Sequence, residues 1–353
     1  MNKTLKKIKQ VLSSNQLRIL CFLIVFFSYM IPFFTYAESD NTITSKNNTF
    51  FEYQYGDYYY NTNTEGEAIL VYYAGNESVI TLPNELDGHT LVEISTYAFE
   101  KTSSLVSLII PGSVTRIDEE AFIQCPLLSE IIIEDGVMVI EEAAFCECTS
   151  LKTISIPNSV VSITGNPFVA CDQLERIIIQ DDHPVLTVAD DVLFDKSFTR
   201  LISFPGGLNI CSYSIPMGVK KIERYAFAFH PSISSVSIPD SVEIIDDYSF
   251  QFCDQLSNLI LPDSILILGE GAFTECYNLS SVKMSNNILS IGDFSFSCCP
   301  LLRTLILPDS IQQIGNDHPF DDETITLIVS PGSYADQYLI NARGTILRAG
   351  EDN

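Results

Sequence analysis

Phenylalanine recurs at a fixed interval among the apolar positions of this chain. The spacing is 23 residues in two runs, which are Phe99, Phe122, Phe145 and Phe168, and then Phe227, Phe250, Phe273 and Phe296. Other apolar residues keep the same phase around each phenylalanine. A period of this length predicts a solenoid in which one structural unit, present in about nine copies, stacks on the next.

Each repeat alternates extended and turn segments. The repeat at 105–122 reads LVSLIIPGSVTRIDEEAF. Its alternating apolar residues predict a short strand, and the proline with small polar residues after it is typical of a turn. A second apolar pair, Val114 and Ile117, re-enters the core, and the acidic residues before Ala121 and Phe122 suit the first turn of a short helix. We therefore predict an α/β solenoid of short parallel strands, turns and short helical turns.

The period is interrupted once, between Phe168 and Phe227, where the gap of 59 residues exceeds two repeats by 13. Because both flanks keep the same pattern, we interpret the extra residues as an irregular long coil within one solenoid. The predicted segments are a signal peptide at 1–37, a flexible lead-in at 38–50, an N-terminal cap with a diverged first repeat at 51–99, the solenoid at 100–320 with its long coil at about 180–209, and a C-terminal cap and tail at 321–353.

The first 37 residues differ in composition from the rest. Basic residues between Lys3 and Arg18 precede an apolar stretch at 19–34, and Ala37 offers a small residue for cleavage. This order is typical of a secretory signal peptide. An uncleaved N-terminal anchor is the alternative, but the interrupted stretch is shorter than the roughly 20 residues of a spanning helix. We expect a secreted or cell-surface protein with no membrane span in its mature form.

Charge narrows the range of partners. Removal of the predicted signal peptide takes away five of the 19 basic residues and none of the 45 acidic residues, so the mature chain carries a net charge of −31. This charge would repel nucleic acid and anionic bilayers, and we expect neither as a partner. Solubility of an exported protein accounts for the acidity without a cation-binding role.

The repeats resemble the leucine-rich repeats of the BspA-type surface proteins, whose unit reads Leu-x-x-Ile-x-Ile-Pro-x-Ser-Val-x-x-Ile, three further residues, and Ala-Phe-x-x-Cys. The match covers about residues 51–345, and the long coil, with Val192-Leu193-Phe194 and Phe204-Pro205, is similar to that family's extended variant repeat. The resemblance implies a curved, right-handed solenoid with a parallel sheet on one face, exported and used for binding. It implies no catalytic residues.

Six cysteines occupy one repeat position, three residues after the phenylalanine: Cys125, Cys148, Cys171, Cys253, Cys276 and Cys299. Stacking would place them in two ladders with a step of about 4.8 Å, a Cα separation that permits disulfides. Ladder side chains point in parallel, however, so we interpret them as small buried structural residues. With Cys146, Cys211 and Cys298 the mature chain has nine cysteines, which leaves at least one thiol unpaired in a monomer.

Histidines and acidic clusters are the residues that could form a catalytic or metal-binding site. The four histidines, His89, His183, His230 and His318, lie far apart in the repeat, and His230 replaces a ladder cysteine. None is a credible catalytic base, so we predict no enzyme activity. Acidic runs at 118–120, 141–142 and 246–247 would stack along one edge, where calcium is one alternative and helix capping with solvation is the other. We predict no metal site and no cofactor.

One row of side chains should point outward from the predicted parallel sheet, because the residue between two buried strand positions faces solvent. The row is Ile109, Ile132, Ser155, Ile178, Ser237, Ile260, Lys283 and Ile306. The flanking row is polar: Ser107, Glu130, Thr153, Arg176, Ser235, Asn258, Ser281 and Thr304. An apolar centre with a polar border is typical of a protein-binding surface. The alternative is that isoleucine occurs here only because β-branched residues favour strands.

Three classes of function remain. The first is a protein-binding adhesin or host-interaction factor with an extracellular protein ligand. The second is a structural, envelope-associated or polysaccharide-binding repeat protein, since tyrosines near the N-terminus could stack on sugars. The third is an enzyme. It has little support, because the serine, histidine and aspartate residues that catalysis would need already have structural roles in the repeat.

Overall fold

The computed structural model describes residues 51–316, 319–320, 325–339 and 345–348. The predicted signal peptide, the lead-in at 38–50, His318 and much of the predicted C-terminal cap lie outside these residues. In the part of the chain that is described, no helix is long and apolar enough to cross a membrane.

Antiparallel strands begin the described chain. The strands are β1 (Tyr53–Tyr55), β2 (Tyr58–Thr62), β3 (Ala68–Tyr73), β4 (Val79–Thr81), β5 (Glu85–Leu86) and β6 (His89–Ile94). Strands β1 to β3 form an antiparallel meander, and β3 pairs in parallel with β6. Tyr60 and Tyr73 are buried, and the ring of Tyr73 stacks on Phe99 with centroids 5.0 Å apart. The meander therefore covers the open end of the first coil, as a solenoid end requires.

Each regular repeat contributes one strand to a front ladder and a shorter strand to a rear ladder. The strands of the first half are β7 (Ser107–Ile110), β8 (Arg116–Ile117), β9 (Glu130–Ile133), β10 (Val139–Ile140), β11 (Thr153–Ser155), β12 (Ser162–Ile163) and β13 (Arg176–Ile178). Pairing is parallel and one repeat apart, as between Ile109 and Ile132 in front and between Val139 and Ser162 behind. The apolar phase seen in the sequence thus sets the register.

The long coil is an antiparallel meander inserted between the two halves. Its strands are β14 (Leu186–Ala189), β15 (Val192–Asp195) and β16 (Arg200–Ser203). Strand β16 pairs in parallel with the first rear strand of the second half, so regular stacking resumes there. No strand pairing joins β12 to β14 within the described chain.

The second half repeats the arrangement of the first. Its strands are β17 (Ser212–Ser214), β18 (Lys221–Ile222), β19 (Ser235–Ser237), β20 (Ile244–Ile245), β21 (Asn258–Ile260), β22 (Ile267–Leu268), β23 (Ser281–Lys283), β24 (Ser290–Ile291), β25 (Thr304–Ile306), β26 (Gln313–Ile314), β27 (Thr326–Val329) and β28 (Thr345–Arg348). Helix α1 (Tyr334–Leu339) lies between β27 and β28. The last three front strands, β25, β27 and β28, form one parallel sheet.

The phenylalanines form a stacked column in the core. Rings of Phe99, Phe122 and Phe145 follow one another with centroids 4.9 and 5.3 Å apart, and those of Phe250 and Phe273 lie 5.1 Å apart. In the second half Phe204 of the insertion heads the column, 4.6 Å from Phe227. The strict period therefore reflects one aromatic ring per coil, placed directly on the ring before it.

The predicted helical turns are absent from the described repeats, and this part of the α/β prediction was wrong. Around Phe122 the backbone φ is +56° at Glu120 and +59° at Gln124, a left-handed conformation that no α-helix tolerates. The amides of this segment bond to the next coil instead, as when Phe122 N donates to Ala144 O over 2.8 Å. The acidic residues favour a helix start only when the segment is considered alone, because the bonds between coils are not visible in the local sequence. The handedness of the coil stays a prediction.

Candidate functional site

The front ladder presents the predicted row of side chains to solvent. Ile132, Ile178, Ile260 and Ile306 are exposed by 44–64%, and Ile109 is half-buried. The polar members of the row, Ser155, Ser237 and Lys283, are exposed as well. Alternation along each strand produces this result, because the residues on either side of each row member point into the core.

The row is not a continuous apolar stripe. Register pairs place Ser155 beside Ile178, and Lys283 beside Ile260. Only Ile109 and Ile132 are paired isoleucines of the predicted row. The structure also adds Thr81, Ser214 and Ile328 to the row. Their repeats diverge in sequence from the others. Each of these residues nevertheless lies near the end of a strand that runs into a proline or a turn, and that pattern would have identified them.

The N-terminal part of the front ladder carries a cluster that the sequence did not reveal. Val79 is 64% exposed, Val106 is 36% exposed, and both lie near the Ile109–Ile132 pair: Val79 is opposite Ser107, and Val106 N donates to Ser78 O over 2.8 Å. We call Val79, Val106, Ile109 and Ile132 the front patch. Val79, Ile109 and Ile132 lie on the hydrogen-bonded strands β4, β7 and β9, and Val106 directly precedes β7, so the backbone holds the shape of the patch.

The insertion reaches the front ladder at its interruption. The tight turn between β14 and β15 consists of Asp190 and Asp191, both with positive φ. Arg176 Nε lies 3.8 Å from Asp191 Oδ1. Burial, with a contribution from the negative charge of Asp190, raises the pKa of Tyr213 to about 12. The turn is therefore close to both β13 and β17, and it places carboxylates beside the middle of the ladder.

Acidic residues next to the phenylalanine turns are paired with the few cations of the chain. Arg116 bonds to Asp118 at 2.6 Å and to Glu141 at 2.5 Å. Lys221 contacts Asp246 at 2.7 Å, and elsewhere Arg224 contacts Glu142 at 3.1 Å. Among the described residues no group of three or more histidine, cysteine, aspartate or glutamate side chains is arranged to hold a metal ion.

The ladder cysteines are buried thiols in the described structure. Each Sγ lies 3.1–3.4 Å from the carbonyl oxygen of the phenylalanine of the preceding coil, as for Cys276 Sγ and Phe250 O at 3.2 Å. The thiol is thus a weak donor to a buried carbonyl, and burial raises the pKa of Cys125 to about 12. These cysteines are inert in the thiolate chemistry that reactive cysteines perform.

We predict that the protein comprising residues 38–353, unfolded and unreduced, titrates nine thiols with a chromogenic disulfide reagent. The reason is that every ladder thiol is turned toward a carbonyl of the preceding coil rather than toward a neighbouring sulfur. A count of seven or fewer would contradict this arrangement, and the same protein after reduction provides the reference value.

Two histidines hold turns rather than reacting groups. His230 is fully buried, and its Nδ1 accepts a hydrogen bond from Ile233 N over 3.1 Å. His183 uses Nδ1 in the same way with Leu186 N, while its Nε2 contacts Pro157 O. Burial lowers the pKa of His230 to about 4. His89, near the N-terminus, contacts the carbonyl of Gly66 and lies far from both.

The stacked parallel ladders, the phenylalanine column and the 23-residue register define a leucine-rich-repeat solenoid, a class whose members bind partners through extended surfaces. The chain belongs to the BspA type leucine rich repeat family: six copies of that repeat region match residues 72–199 and 201–326. This confirms the resemblance seen in the sequence. No curated protein matches the chain significantly.

Two solved structures show the same fold. One is a leucine-rich repeat protein from Eubacterium ventriosum, with 17% identity and a TM-score of 0.51, in which 75% of this chain aligns with 92% of that chain. The other is the pneumococcal vaccine antigen PcpA, with 18% identity and a TM-score of 0.53, in which 85% of this chain aligns with 98% of that chain.

Proposed function

We propose that the protein is a secreted or cell-surface binding solenoid that acts as an adhesin or host-interaction factor through its front ladder. The ligand is an extracellular protein that contacts the row from Ile109 to Ile306. The front patch is the single observation that carries the proposal, since it brings three exposed and one half-buried aliphatic side chain together on hydrogen-bonded backbone. Exposed apolar clusters with a polar border are typical of protein interfaces.

The front patch is suited to be the anchor of this interface. Ile132 is 55% exposed and Val79 is 64% exposed, so a partner would remove much apolar surface from water at about 25 cal/mol per Å². Glu130 lies on the same strand as Ile132 and supplies polar surface at the border of the patch. The remaining row offers single isoleucines among serines and a lysine, which provide complementarity rather than the main binding energy.

A second candidate is polysaccharide binding at the N-terminal end. Tyr53, Tyr55 and Tyr72 are exposed by 38–46%. The rings of Tyr59 and Tyr72 lie 5.9 Å apart on neighbouring strands, which makes an aromatic surface of the kind that stacks on sugar rings. Buried Tyr60 and Tyr73 have a capping role instead. This candidate supports the envelope-associated alternative.

Substitution of Ile109 and Ile132 by glutamate should abolish protein binding without unfolding the solenoid. Two carboxylates placed in the centre of the front patch would have to be desolvated against an apolar partner surface, so we expect a loss of affinity of at least about 10-fold. The measurement is binding of the purified protein to an array of extracellular-matrix proteins, cell surfaces and polysaccharides.

The matched control is Met138→Glu with Val161→Glu, which adds the same charge at two exposed apolar positions one repeat apart, directly before the rear strands β10 and β12. Retained binding in the control and lost binding in the isoleucine variant support the proposal. Equal binding by both variants would count against the front patch. Binding to sugars alone, abolished by Tyr59→Ala with Tyr72→Ala, would establish the second candidate.

A further inference from the structure

Glu275 is a buried carboxyl group without a hydrogen-bond partner among the described residues. It follows Phe273 by two residues in the left-handed position of its turn, with φ +60°. The residue is 1% exposed, and neither Oε1 nor Oε2 accepts a hydrogen bond from the part of the chain that the structure describes. Its backbone is well held, since Glu275 N donates to Ser297 O over 2.9 Å. The backbone thus carries this side chain into a place where an ionised carboxylate is costly.

The first half of the solenoid contains an equivalent glutamate that is satisfied. Glu147 occupies the same position after Phe145, and Gln124 Nε2 of the preceding coil donates to both of its carboxylate oxygens at 3.2 Å. In the second half Phe252 takes the place of Gln124, one repeat before Glu275. A phenyl ring offers no donor, so the hydrogen bonds from Gln124 that oppose the burial-driven rise in the pKa of Glu147 have no counterpart from Phe252 at Glu275.

The titratable groups around Glu275 do not compensate for its charge. Asp254 lies on the preceding turn, Tyr277 two residues further on, and Cys298 on the following turn. Burial and the negative charge of Asp254 raise the pKa of Glu275 to about 8. Within the described residues no lysine or arginine forms an ion pair with it.

We propose that Glu275 is a proton-controlled latch: as a neutral acid it is tolerated between the packed coils around Phe250, Phe273 and Phe296, and its ionisation loosens them. Ionisation releases the proton to solvent and leaves a carboxylate that gains solvation only if its turn moves outward. The latch is regulatory and stands apart from ligand binding at the front patch.

The direction of the pH effect follows from the two states. An unfolded glutamate ionises near pH 4.3. Below that pH the acid is neutral in both states and the stabilising contribution is complete. Stability then falls as the pH rises toward the raised pKa of the folded state, because only the unfolded chain readily releases the proton. Above about pH 8 the folded state has lost the whole of this contribution to its stability, because Glu275 is then ionised in both states.

The test is urea unfolding of the purified protein at pH 6 and at pH 9. We expect the urea midpoint of the wild type to be lower at pH 9 than at pH 6. Both Glu275→Gln and Glu275→Met should remove at least half of that fall. Two neutral replacements are used because either alone could be tolerated poorly. Glu147→Gln is the matched control and should keep the wild-type fall. Glu142, whose pKa is raised to about 7, titrates in all four proteins and cancels in the comparison.

An equal fall in the wild type and in both Glu275 variants would overturn the latch. The second arm of the experiment repeats the unfolding at pH 9 with 5–10 mM calcium, roughly the range for a weak site. If calcium restores the midpoint of the wild type but not that of the Glu275 variants, Glu275 belongs to a cation site instead. Faster hydrogen exchange of the turn at 271–277 at pH 9, corrected for the intrinsic rate and absent in Glu275→Gln, would place the opening at the latch.

Discussion

Gly136→Ala should destabilise the folded protein by more than about 4 kcal/mol, a loss at the severe end for one substitution. Gly136 adopts φ +133°, and a Cβ atom built on it would lie 1.9 Å from Gly112 O in the preceding coil. The atoms nearest to this Cβ all belong to the backbone of Gly112, so relief requires the two coils to separate. Chemical denaturation monitored by circular dichroism measures the change in the free energy of unfolding.

Gly218→Ala is the matched control for this substitution. Gly218 occupies the same repeat position, and its amide donates to Ser241 Oγ as that of Gly136 donates to Ser159 Oγ, both at 3.0 Å. Its φ is +104°, but the nearest atom to an added Cβ is Phe198 O at 3.8 Å. We expect a loss of about 1–2 kcal/mol from backbone strain alone. Similar losses in the two variants would contradict the role of coil contact.

Asn166→Ala should cost about 2–4 kcal/mol of stability, because two hydrogen bonds of a buried side chain are lost at the junction of the two halves. Asn166 Oδ1 accepts from Phe168 N at 2.9 Å, and its Nδ2 donates to Tyr225 O at 3.0 Å, across 59 residues of sequence. Its backbone N donates to Arg224 O and its carbonyl accepts from Ala143 N. One residue thus joins the regular coils on either side of the insertion.

Thermal unfolding compares this variant with two controls. Asn158→Ala removes an asparagine whose amide bonds to Gln180 and Asp182 at the surface, and should cost less than about 1 kcal/mol. Asn166→Asp keeps an acceptor for Phe168 N but loses the donor to Tyr225 O, so it should also be destabilised. An Asn166→Ala protein as stable as the Asn158→Ala protein would show that the junction does not depend on this side chain.

Much of the fold could be predicted from the apolar phase. The positions of the front strands, the outward row from Ile109 to Ile306 and the aromatic column follow from alternation within a repeat and from the period between repeats, both of which are visible in a single sequence. The front patch was less accessible, because Val79 belongs to the diverged first repeat. Its exposure depends on the register between β4 and β7, which no local pattern specifies.

The turn around each phenylalanine illustrates what the sequence could not decide. Acidic residues before Ala121-Phe122 suit a helix start when they are considered locally. In the structure these amides bond to the next coil, as between Gln124 N and Cys146 O at 2.9 Å, and the backbone takes two left-handed residues to allow it. The bonds between coils stabilise this conformation against the local preference.

The sequence by itself determined the repeat, its length, the strand positions, the buried rings and the family, because each of these is a property of residues in one coil or of their recurrence. Tertiary structure decided which glutamate finds a donor, how close Gly112 and Gly136 approach, and how Asn166 joins the two halves. Those features depend on residues that are 23 to 59 positions apart in the chain and meet only when one coil is placed on another.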